Sequence, residues 1–445
     1  MPEYFCLIPH HEQVLLLEEA DGWTLPHTEH DGFYDDAHGW FHLHVQREMQ
    51  RQLGLHVTTL RQRTAAICEM DLHDPVQTPV GAIWATRNDF ETLTFAVPEQ
   101  RHELEAWFTR TQNGEHSSGL SSAPWEQPGW FGQAATWLQT EVARLGYTVL
   151  GAVEQVKVFV FGAVLRIPTD RGHLYFKALL PTVQNEAVLI LELAKRWPEH
   201  VPQIVAYNPE RRWLLMRDFG GETFSAFSSP RYETVVQTYA RIQLDCAADV
   251  ERWLQLGLPD QRLKNLPSLF AEVVAAARAG DARVAAGLTD AQIKKLPRLV
   301  PIVLEKCRQL EKLALPATLV QQDFQWSNVA IEDDGFVLFD WQATVVSHPF
   351  FSMTRFLDYM PAPNSVDPFS PLLDHPDDVR RRELRDAYLE PWQAVAPPDV
   401  LQAAFALTRE LHLAYLAVRW FQNLALFESE EDEAVPWALG QLLRD

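Results

Sequence analysis

The chain has 445 residues, of which 47% are hydrophobic, and it carries a formal net charge of −22. Because one hydrophobic core rarely fills such a length, we expect about two or three domains. The hydrophobic content and 15 tryptophans exclude a largely disordered chain. The acidic charge argues against nucleic acid as a principal partner, since phosphates would be repelled. It favours a cationic substrate if some acids line a cleft, and solubility explains it equally well.

Cellular location follows from what the sequence lacks. No apolar run approaches the length needed to cross a bilayer, and the first residues have no basic region typical of a signal peptide. The spacing of the cysteines fits neither a metal site nor a disulfide framework; they are Cys6, Cys68, Cys246 and Cys307. We therefore expect a cytoplasmic protein without a membrane partner.

Residues 1–112 read as a first unit. Short apolar runs at residues 4–8 and 14–17 predict strands, and residues 38–53 predict a helix that ends at Gly54 as a left-handed C-cap. Further runs at residues 80–84 and 93–97 are typical of strands. A mixed sheet with one or two helices is the natural assembly of these elements.

The end of that helix, residues 47–55, resembles the end of the Nudix box. Glu48 matches the pattern, but Arg51 and Gln52 stand where the box has metal-binding glutamates, and Gly39 replaces an earlier one. The resemblance implies a Nudix-like mixed α/β domain. Because a Mg²⁺ pyrophosphatase site requires those carboxylates, we expect the fold without hydrolase activity. An unrelated α+β domain is the alternative.

Residues 113–129 are rich in Gly, Ser and Pro, which indicates a linker and places a domain boundary there. A helix over residues 134–145 follows, and then strand-like runs over residues 148–152, 156–168 and 173–180, of which the middle run would form a strand, a turn and a second strand. The last strand contains Lys177. Because burying an ammonium group without a partner is costly, Lys177 should meet an anion; a lysine that snorkels from an edge strand is the alternative.

The next segments alternate between helix and hairpin. Glu186 opens an amphipathic helix, and residues 204–207 and 213–216 predict a hairpin. From residue 224 onward, helical spacing of apolar residues predicts a mostly helical part; its helices lie at residues 232–246, 269–286, 290–313 and beyond residue 378.

Residues 319–349 contain the polar side chains that could form a catalytic or metal-binding site. Asp323 and Asn328 lie five residues apart, and Asp340 follows an apolar run. An Asp-Gly pair between two short apolar runs predicts a hairpin, which would return Asp340 to the loop that holds the other two residues. Two carboxylates and a carboxamide at strand ends suit Mg²⁺ and phosphate.

This stretch resembles the catalytic core of the aminoglycoside phosphotransferase-type small-molecule kinases, whose pattern reads HGDxHxxN followed by (I/F)DW. Asp323, Asn328 and the pair Asp340-Trp341 match it. The resemblance implies a bilobal protein-kinase-like fold, with a β-rich small lobe at residues 130–220 and a mostly helical large lobe at residues 221–445.

Roles for the site residues follow from the resemblance. Asp323 would be the catalytic residue that accepts or orients the proton of an acceptor hydroxyl, while Asn328 and Asp340 would bind Mg²⁺. Lys177 would hold the nucleotide phosphates and pair with Glu186, with Glu192 as the second choice. The residues of the hinge that meets the adenine would be Met216, Asp218 and Phe219.

The sequence departs from the family pattern at three glutamines. Gln321 and Gln322 replace the His-Gly before the catalytic aspartate, and Gln325 replaces the next histidine. A glutamine amide can still donate and accept hydrogen bonds, so we expect the fold and the activity to survive. A slow or highly specialised enzyme would also fit.

Together these patterns predict an ATP- or GTP-dependent kinase that phosphorylates a hydroxyl of a small molecule, cationic if the acidic charge lines the cleft. The first alternative is a catalytically weak sensor that binds a nucleotide or a small ligand. The second is a partner-binding scaffold in which the Nudix-like unit carries the function. The identity of the acceptor does not follow from the family.

Overall fold

A computed structural model of the chain describes residues 2–30, 41–73, 78–113, 123–159, 161–180, 186–220, 231–331, 335–358, 379–423 and 434–444. The chain divides into two compact units. Unit 1 comprises Met1–Pro181 and Ile204–Asp218, and unit 2 comprises Thr182–Gln203 and Phe219–Asp445. Both units combine helices with strands, so the predicted α+β class is confirmed.

The first part of unit 1 contains two small sheets and two helices. One sheet has the order β5-β1-β7-β6, in which β1 and β7 are parallel, and the other joins β2, β3, β4 and β8. The mixed sheet that the sequence predicts is therefore confirmed. The bounds are β1 Glu3–Leu7, β2 Pro9–His10, β3 Gln13–Glu19, β4 Gly22–Thr24, β5 His27–Glu29, α1 Phe41–Leu53, β6 Val57–Gln62, β7 Ile67–Leu72, β8 Ala82–Ala85 and α2 Pro98–Gln112.

The two faces of the first sheet support separate hydrophobic clusters. Cys68 and Met70 of β7 pack with α1, whereas Ile67 joins the cluster that contains Trp107 of α2. Successive residues of a strand point to opposite faces, so β7 serves both clusters. Glu69 consequently points to the face that α2 covers, where its Oε1 atom accepts a hydrogen bond of 3.0 Å from the Trp107 indole.

Two predictions for this part differ from the structure. The described part of the predicted helix is α1, which ends before Gly54 at φ +69°, as a left-handed C-cap requires. The predicted strand at residues 93–97 is wrong, because Phe95 forms a single bridge with Trp23 and α2 follows. Helix α2 was not predicted, since the buried Gln100 interrupts its apolar spacing. The Gln100 side chain accepts a hydrogen bond from the Leu25 backbone N–H.

The rest of unit 1 is one helix and a five-stranded antiparallel sheet of order β12-β13-β11-β10-β9. The helix begins at Trp130, four residues before its predicted start, directly after Gly129 at φ +82°. Residues 148–152 form a single bridge, Val149 with Thr169, and not the predicted strand. The bounds are α3 Trp130–Arg144, β9 Glu154–Phe159, β10 Gly162–Thr169, β11 Gly172–Leu179, β12 Ile204–Asn208 and β13 Trp213–Arg217.

Unit 2 is mainly helical, as the sequence predicts, and its described residues also form two short antiparallel strand pairs, β14 with β17 and β15 with β16. Among the described residues, no helix is long and apolar enough to span a membrane. The bounds are α4 Glu186–Leu193, α5 Arg231–Cys246, α6 Val250–Gln255, α7 Leu266–Ala279, α8 Ala282–Ala285, α9 Asp290–Lys295, α10 Leu299–Glu311, β14 Thr318–Gln321, β15 Val329–Ile331, β16 Phe336–Leu338, β17 Thr344–Ser347, α11 Phe350–Asp358, α12 Val379–Leu389, α13 Pro398–Asn423 and α14 Ala434–Leu442.

Candidate functional site

The predicted hairpin forms in unit 2 and carries the polar residues at its open end. Strands β15 and β16 pair in antiparallel register, with Val329 opposite Leu338. The backbone N–H of Phe339 donates to the Asn328 carbonyl at 3.1 Å. Asp340 therefore lies one residue beyond the partner of Asn328, so the hairpin returns it to this loop as predicted. Residues 332–334 of the turn lie outside the described residues.

Asp323 and Asn328 are joined directly. The Asn328 Nδ2 atom donates to the Asp323 carbonyl at 2.8 Å and to its carboxylate Oδ2 at 3.2 Å. The side chain of Asn328 is buried, which fixes its orientation. Because both bonds use Nδ2, the Oδ1 oxygen of Asn328 is the amide atom left for a cation.

Asp340 adopts a left-handed backbone conformation, with φ 61° and ψ 53°. For a residue with a Cβ atom this conformation is uncommon and costs free energy, so surrounding contacts must hold it. Gln321 supplies two of them: its Nε2 atom donates to the carbonyls of Phe339 at 2.8 Å and Asp340 at 3.0 Å. Gln321, which stands where the family pattern has a histidine, thus stabilises the backbone around Asp340.

The other two glutamines are also engaged. Gln322 donates through Nε2 to the Gln261 side chain at 2.8 Å and to the Tyr415 hydroxyl at 3.0 Å. Gln325 donates to the Asp323 Oδ2 atom at 3.3 Å. Each departure from the family pattern therefore makes a hydrogen bond that supports the loop around Asp323.

Two arginines flank Asp323. Arg419 donates to its Oδ1 atom at 2.8 Å and Arg355 donates to the same atom at 3.1 Å. Their side chains are 6% and 8% exposed, and that of Asp323 is 22% exposed. Burial alone raises the pKa of Asp323, but the positive charges of Arg419 and Arg355 outweigh it and hold this pKa well below its ordinary value. Asp323 is therefore ionised at neutral pH.

Neither arginine was predicted as a site residue. Arg355 lies in the apolar helix α11 and Arg419 near the end of α13, both far from Asp323 along the chain. The signal that could have found them is the one that identified Lys177, a basic residue within an apolar run. Nothing local in the sequence indicates that both arginines share one carboxylate.

The predicted glutamate of helix α4 contacts the same loop. Glu186 is buried, and its Oε1 atom accepts a hydrogen bond of 2.7 Å from the backbone N–H of Trp341, the residue after Asp340. Glu192, the second choice, instead forms ion pairs on the surface with Lys195 and Arg252. Of the two predicted glutamates, Glu186 is therefore the one that contacts the loop of Asp340.

Phe219, which the sequence predicts to be a hinge residue, also lies near this loop. Its ring stacks on that of Phe339, with ring centroids 5.1 Å apart. Gly220, the next residue, has φ +57°, a left-handed conformation that glycine adopts readily. Gly221 lies outside the described residues. Phe219 is thus packed against the residue that precedes Asp340.

The remaining predicted nucleotide contacts lie in unit 1. Lys177 is opposite Leu214 in the sheet, and Met216 is opposite Tyr175. Directly opposed residues share a face, as do residues two apart on one strand, so Lys177 and Met216 lie on the same face. Both are buried. Asp218 follows β13, and the predicted pairing of Lys177 with Glu186 stays a prediction.

The donor set suits a magnesium ion together with a phosphate ligand. Asn328 and Asp340 supply oxygen atoms, which Mg²⁺ prefers, and such a site usually takes its remaining ligands from water and phosphate. Among the described residues, no group of three His, Cys, Asp or Glu side chains could hold a metal alone. The oxygen atoms of Asn328 and Asp340 fit a metal that takes its other ligands from phosphate and water.

Helix α1, whose end was compared with the Nudix box on its sequence alone, has a single carboxylate at this position. The carboxylate of Glu48 is bonded to Arg51 at 2.6 Å and to Gln52 at 3.2 Å. Arg51 and Gln52 are the residues that replace the metal-binding glutamates of the box. The hydrogen bond from Arg51 lowers the pKa of Glu48, and the resulting ion pair occupies the position where a cation would be held.

No family model matches the chain, and no curated protein matches its sequence. Solved structures of phosphotransferases and kinases resemble it. A macrolide 2'-phosphotransferase type I has 15% identity, covering 69% of this chain and 96% of its own, at TM-score 0.45. A choline/ethanolamine kinase family protein from Mesorhizobium loti has 15% identity, covering 71% and 92%, at TM-score 0.46. A ternary complex of streptomycin, ATP and APH(2'')-IIa has 14% identity, covering 70% and 96%, at TM-score 0.46. Such values do not establish an activity.

Proposed function

We propose that the protein is a phosphotransferase that uses ATP or GTP to phosphorylate a hydroxyl group of a small molecule. The observation that carries this proposal is the loop in which Asn328 is bonded to the Asp323 carboxylate while Asp340 is returned beside it by the hairpin. A scaffold has no need for an aspartate in a left-handed conformation that a second side chain must hold.

Each residue has a role in this proposal. Asn328 and Asp340 would hold Mg²⁺, which neutralises charge on the transferred phosphate when it is bound. Lys177 would contact the nucleotide phosphates, and Glu186 would position the Asp340 loop through the Trp341 backbone. Met216, Asp218 and Phe219 would contact the purine base of the nucleotide. Catalysis of this kind consists mostly of positioning and charge neutralisation.

The environment of Asp323 refines its role. A carboxylate whose pKa is strongly lowered is a weak proton acceptor, but it remains a strong hydrogen-bond acceptor. Asp323 would therefore orient the acceptor hydroxyl for in-line attack more than it abstracts the proton. Arg355 and Arg419 add positive charge there, so they disfavour a cationic group of the acceptor close to Asp323. The acidic run at residues 428–433 lies outside the described residues.

The proposal keeps the predicted organisation of the chain. It assigns residues 1–112 to a Nudix-like domain without hydrolase activity, 113–129 to a linker, 130–220 to a small lobe and 221–445 to a large lobe. Within unit 1, Gln155 of β9 makes two hydrogen bonds with the Thr59 backbone, at 2.7 and 2.9 Å. The β-rich segment that begins with β9 is thus hydrogen-bonded to residues 1–112 in addition to being joined to them by the chain.

A second candidate is a kinase-like protein that binds a nucleotide and transfers phosphate very slowly. One observation favours it: the Oδ1 atom of Asp323 already accepts hydrogen bonds from both Arg355 and Arg419. An acceptor hydroxyl must then compete for the carboxylate. In this candidate the nucleotide acts as a signal and Asp323 serves mainly as a counter-ion.

Direct detection of the product separates the two candidates. The full chain is incubated with Mg²⁺, ATP or GTP, and a panel of amino alcohols, sugars and hydroxy acids, and phosphorylated products are measured by mass spectrometry. A kinase gives a phosphorylated acceptor, and Asp323→Asn lowers its rate by about 10² to 10⁴. Nucleotide binding without any product supports the sensor. Absence of both nucleotide binding and product contradicts both candidates.

A further inference from the structure

A pocket separate from the Asp323 loop lies in unit 1, on the side of the first sheet that α2 covers. Its volume is about 310 Å³, and the residues lining it include Arg61, Arg63 and Glu69 of the sheet and its adjoining loop, with Trp107 and Arg110 of α2. The helix that resembles the Nudix box packs against the opposite face of this sheet. The pocket is therefore distinct from the position of a Nudix active site.

Two carboxylates line the pocket, and both accept hydrogen bonds from neighbouring groups. Glu69 accepts the Trp107 indole N–H through Oε1, and its Oε2 atom lies 3.0 Å from Arg63 and 3.3 Å from Arg61. Asp71, the other acid of the lining, accepts the backbone N–H of Gly129 at 2.7 Å. Three arginines thus face two carboxylates, of which Glu69 accepts through both oxygen atoms and Asp71 through Oδ2.

Two of these arginines, Arg63 and Arg110, have an Nε–H group without a hydrogen-bond acceptor among the described residues. Both Nε atoms are buried. The Arg110 side chain makes no ion pair in the described part of the chain, although it is half-buried. A buried donor without an acceptor destabilises the folded chain, and more so when it is charged. An anion in the pocket would offset the positive charge of these guanidinium groups.

We propose that this pocket binds a small molecule through an oxyanion group, phosphate or carboxylate, that accepts hydrogen bonds from Arg63 and Arg110. A guanidinium group can donate two parallel N–H···O hydrogen bonds to two oxygen atoms of such an anion, which is bidentate binding. The volume lies at the small end of ligand pockets, which favours a compact metabolite. This ligand site belongs to the first domain and does not depend on phosphoryl transfer.

Calorimetric titration of the full chain tests the site, with inorganic phosphate as one probe and succinate as the other. We expect saturable binding of at least one probe, which Arg110→Gln weakens about tenfold and Arg110→Lys weakens less. The matched control is Arg101→Gln, which changes an exposed arginine of the same helix that pairs with Glu105; it should bind like the wild type.

The result also identifies the kind of anion. Binding of phosphate alone assigns a phosphate-bearing ligand, and binding of succinate alone assigns a carboxylate-bearing one. Because Arg110 has no side-chain partner among the described residues, its replacement should leave folding intact, which circular dichroism checks. If neither probe binds, or if Arg110→Gln binds with wild-type affinity, the proposal is wrong.

Discussion

Arg419 donates a hydrogen bond of 2.8 Å to the Oδ1 atom of Asp323, the carboxylate that the sequence marks as catalytic. Arg355 donates to the same atom at 3.1 Å. One carboxylate therefore balances two largely buried guanidinium groups. Removing it would leave both charges without this counter-ion, so Asp323 contributes to stability as well as to the site.

Neutralising Asp323 should destabilise the protein. We expect Asp323→Asn to lower the free energy of unfolding by about 3 kcal/mol, at the low end of the range for broken buried ion pairs because the carboxylate is partly exposed. Urea unfolding at neutral pH measures this change.

A double-mutant cycle with Arg419→Gln provides the control. Once Arg419 is neutral, the loss of the Asp323 charge should cost less, and the coupling energy should be about 1–3 kcal/mol. Additive effects of the two substitutions would show that the ion pair contributes nothing to stability.

Gln321 should be needed for the loop that carries Asp340. Its Nε2 atom bonds the carbonyls of Phe339 and Asp340, so Gln321→Ala removes two supports of the left-handed conformation. We expect Mg²⁺-dependent ATP binding to weaken about tenfold or more, since supporting groups of metal ligands have effects of this size. Calorimetric titration of ATP with and without Mg²⁺ measures it.

Two further variants sharpen this prediction. Gln321→His restores the family residue with a ring donor and should retain most of the binding. Gln309→Ala changes an exposed glutamine that bonds Glu305 on α10, and it should have no effect. Unchanged binding in Gln321→Ala would mean that the loop keeps its conformation without the glutamine.

His348 should make stability depend on pH. It is fully buried, and burial lowers its pKa from 6.5 to about 3. Below pH 6.5 the unfolded chain therefore binds a proton that the folded chain does not, and stability falls as the pH falls. Between pH 7 and pH 5 this histidine alone should account for about 2 kcal/mol of lost stability.

The variant His348→Asn isolates that contribution. Its side-chain oxygen can still accept from the Phe350 N–H, which lies 3.4 Å from the His348 Nδ1 atom. Urea unfolding at both pH values should show a smaller loss for His348→Asn than for the wild type. His102→Asn, at an exposed position of α2, should lose as much as the wild type; equal losses in all three proteins would contradict the burial argument.

Local chemistry made part of the fold predictable. The Asp-Gly turn between two apolar runs predicted the hairpin of β15 and β16, and Gly54 marked the end of α1. By contrast, α2 was missed because its buried Gln100 is polar, and only its tertiary partners, Thr24 and Leu25, explain that burial. Residues 93–97 have a strand-like composition but pair through Phe95 alone.

The site was predictable to a similar extent. The spacing of Asp323, Asn328 and Asp340 indicated their convergence, since a short hairpin joins them. The pairing of Asp323 with Arg355 and Arg419 involves residues 32 and 96 positions away. Such contacts depend on how the helices of unit 2 pack, and no local pattern encodes them.

Mg²⁺-dependent ATP binding by Asp340→Ala tests the central proposal most directly. The wild type should bind ATP more tightly with Mg²⁺ than without it, and Asp340→Ala should lose that gain, by about tenfold or more. Glu272→Ala, which removes an exposed carboxylate from α7, should bind like the wild type. If the wild type binds no nucleotide, or if Asp340→Ala keeps the full effect of Mg²⁺, the phosphotransferase account is contradicted.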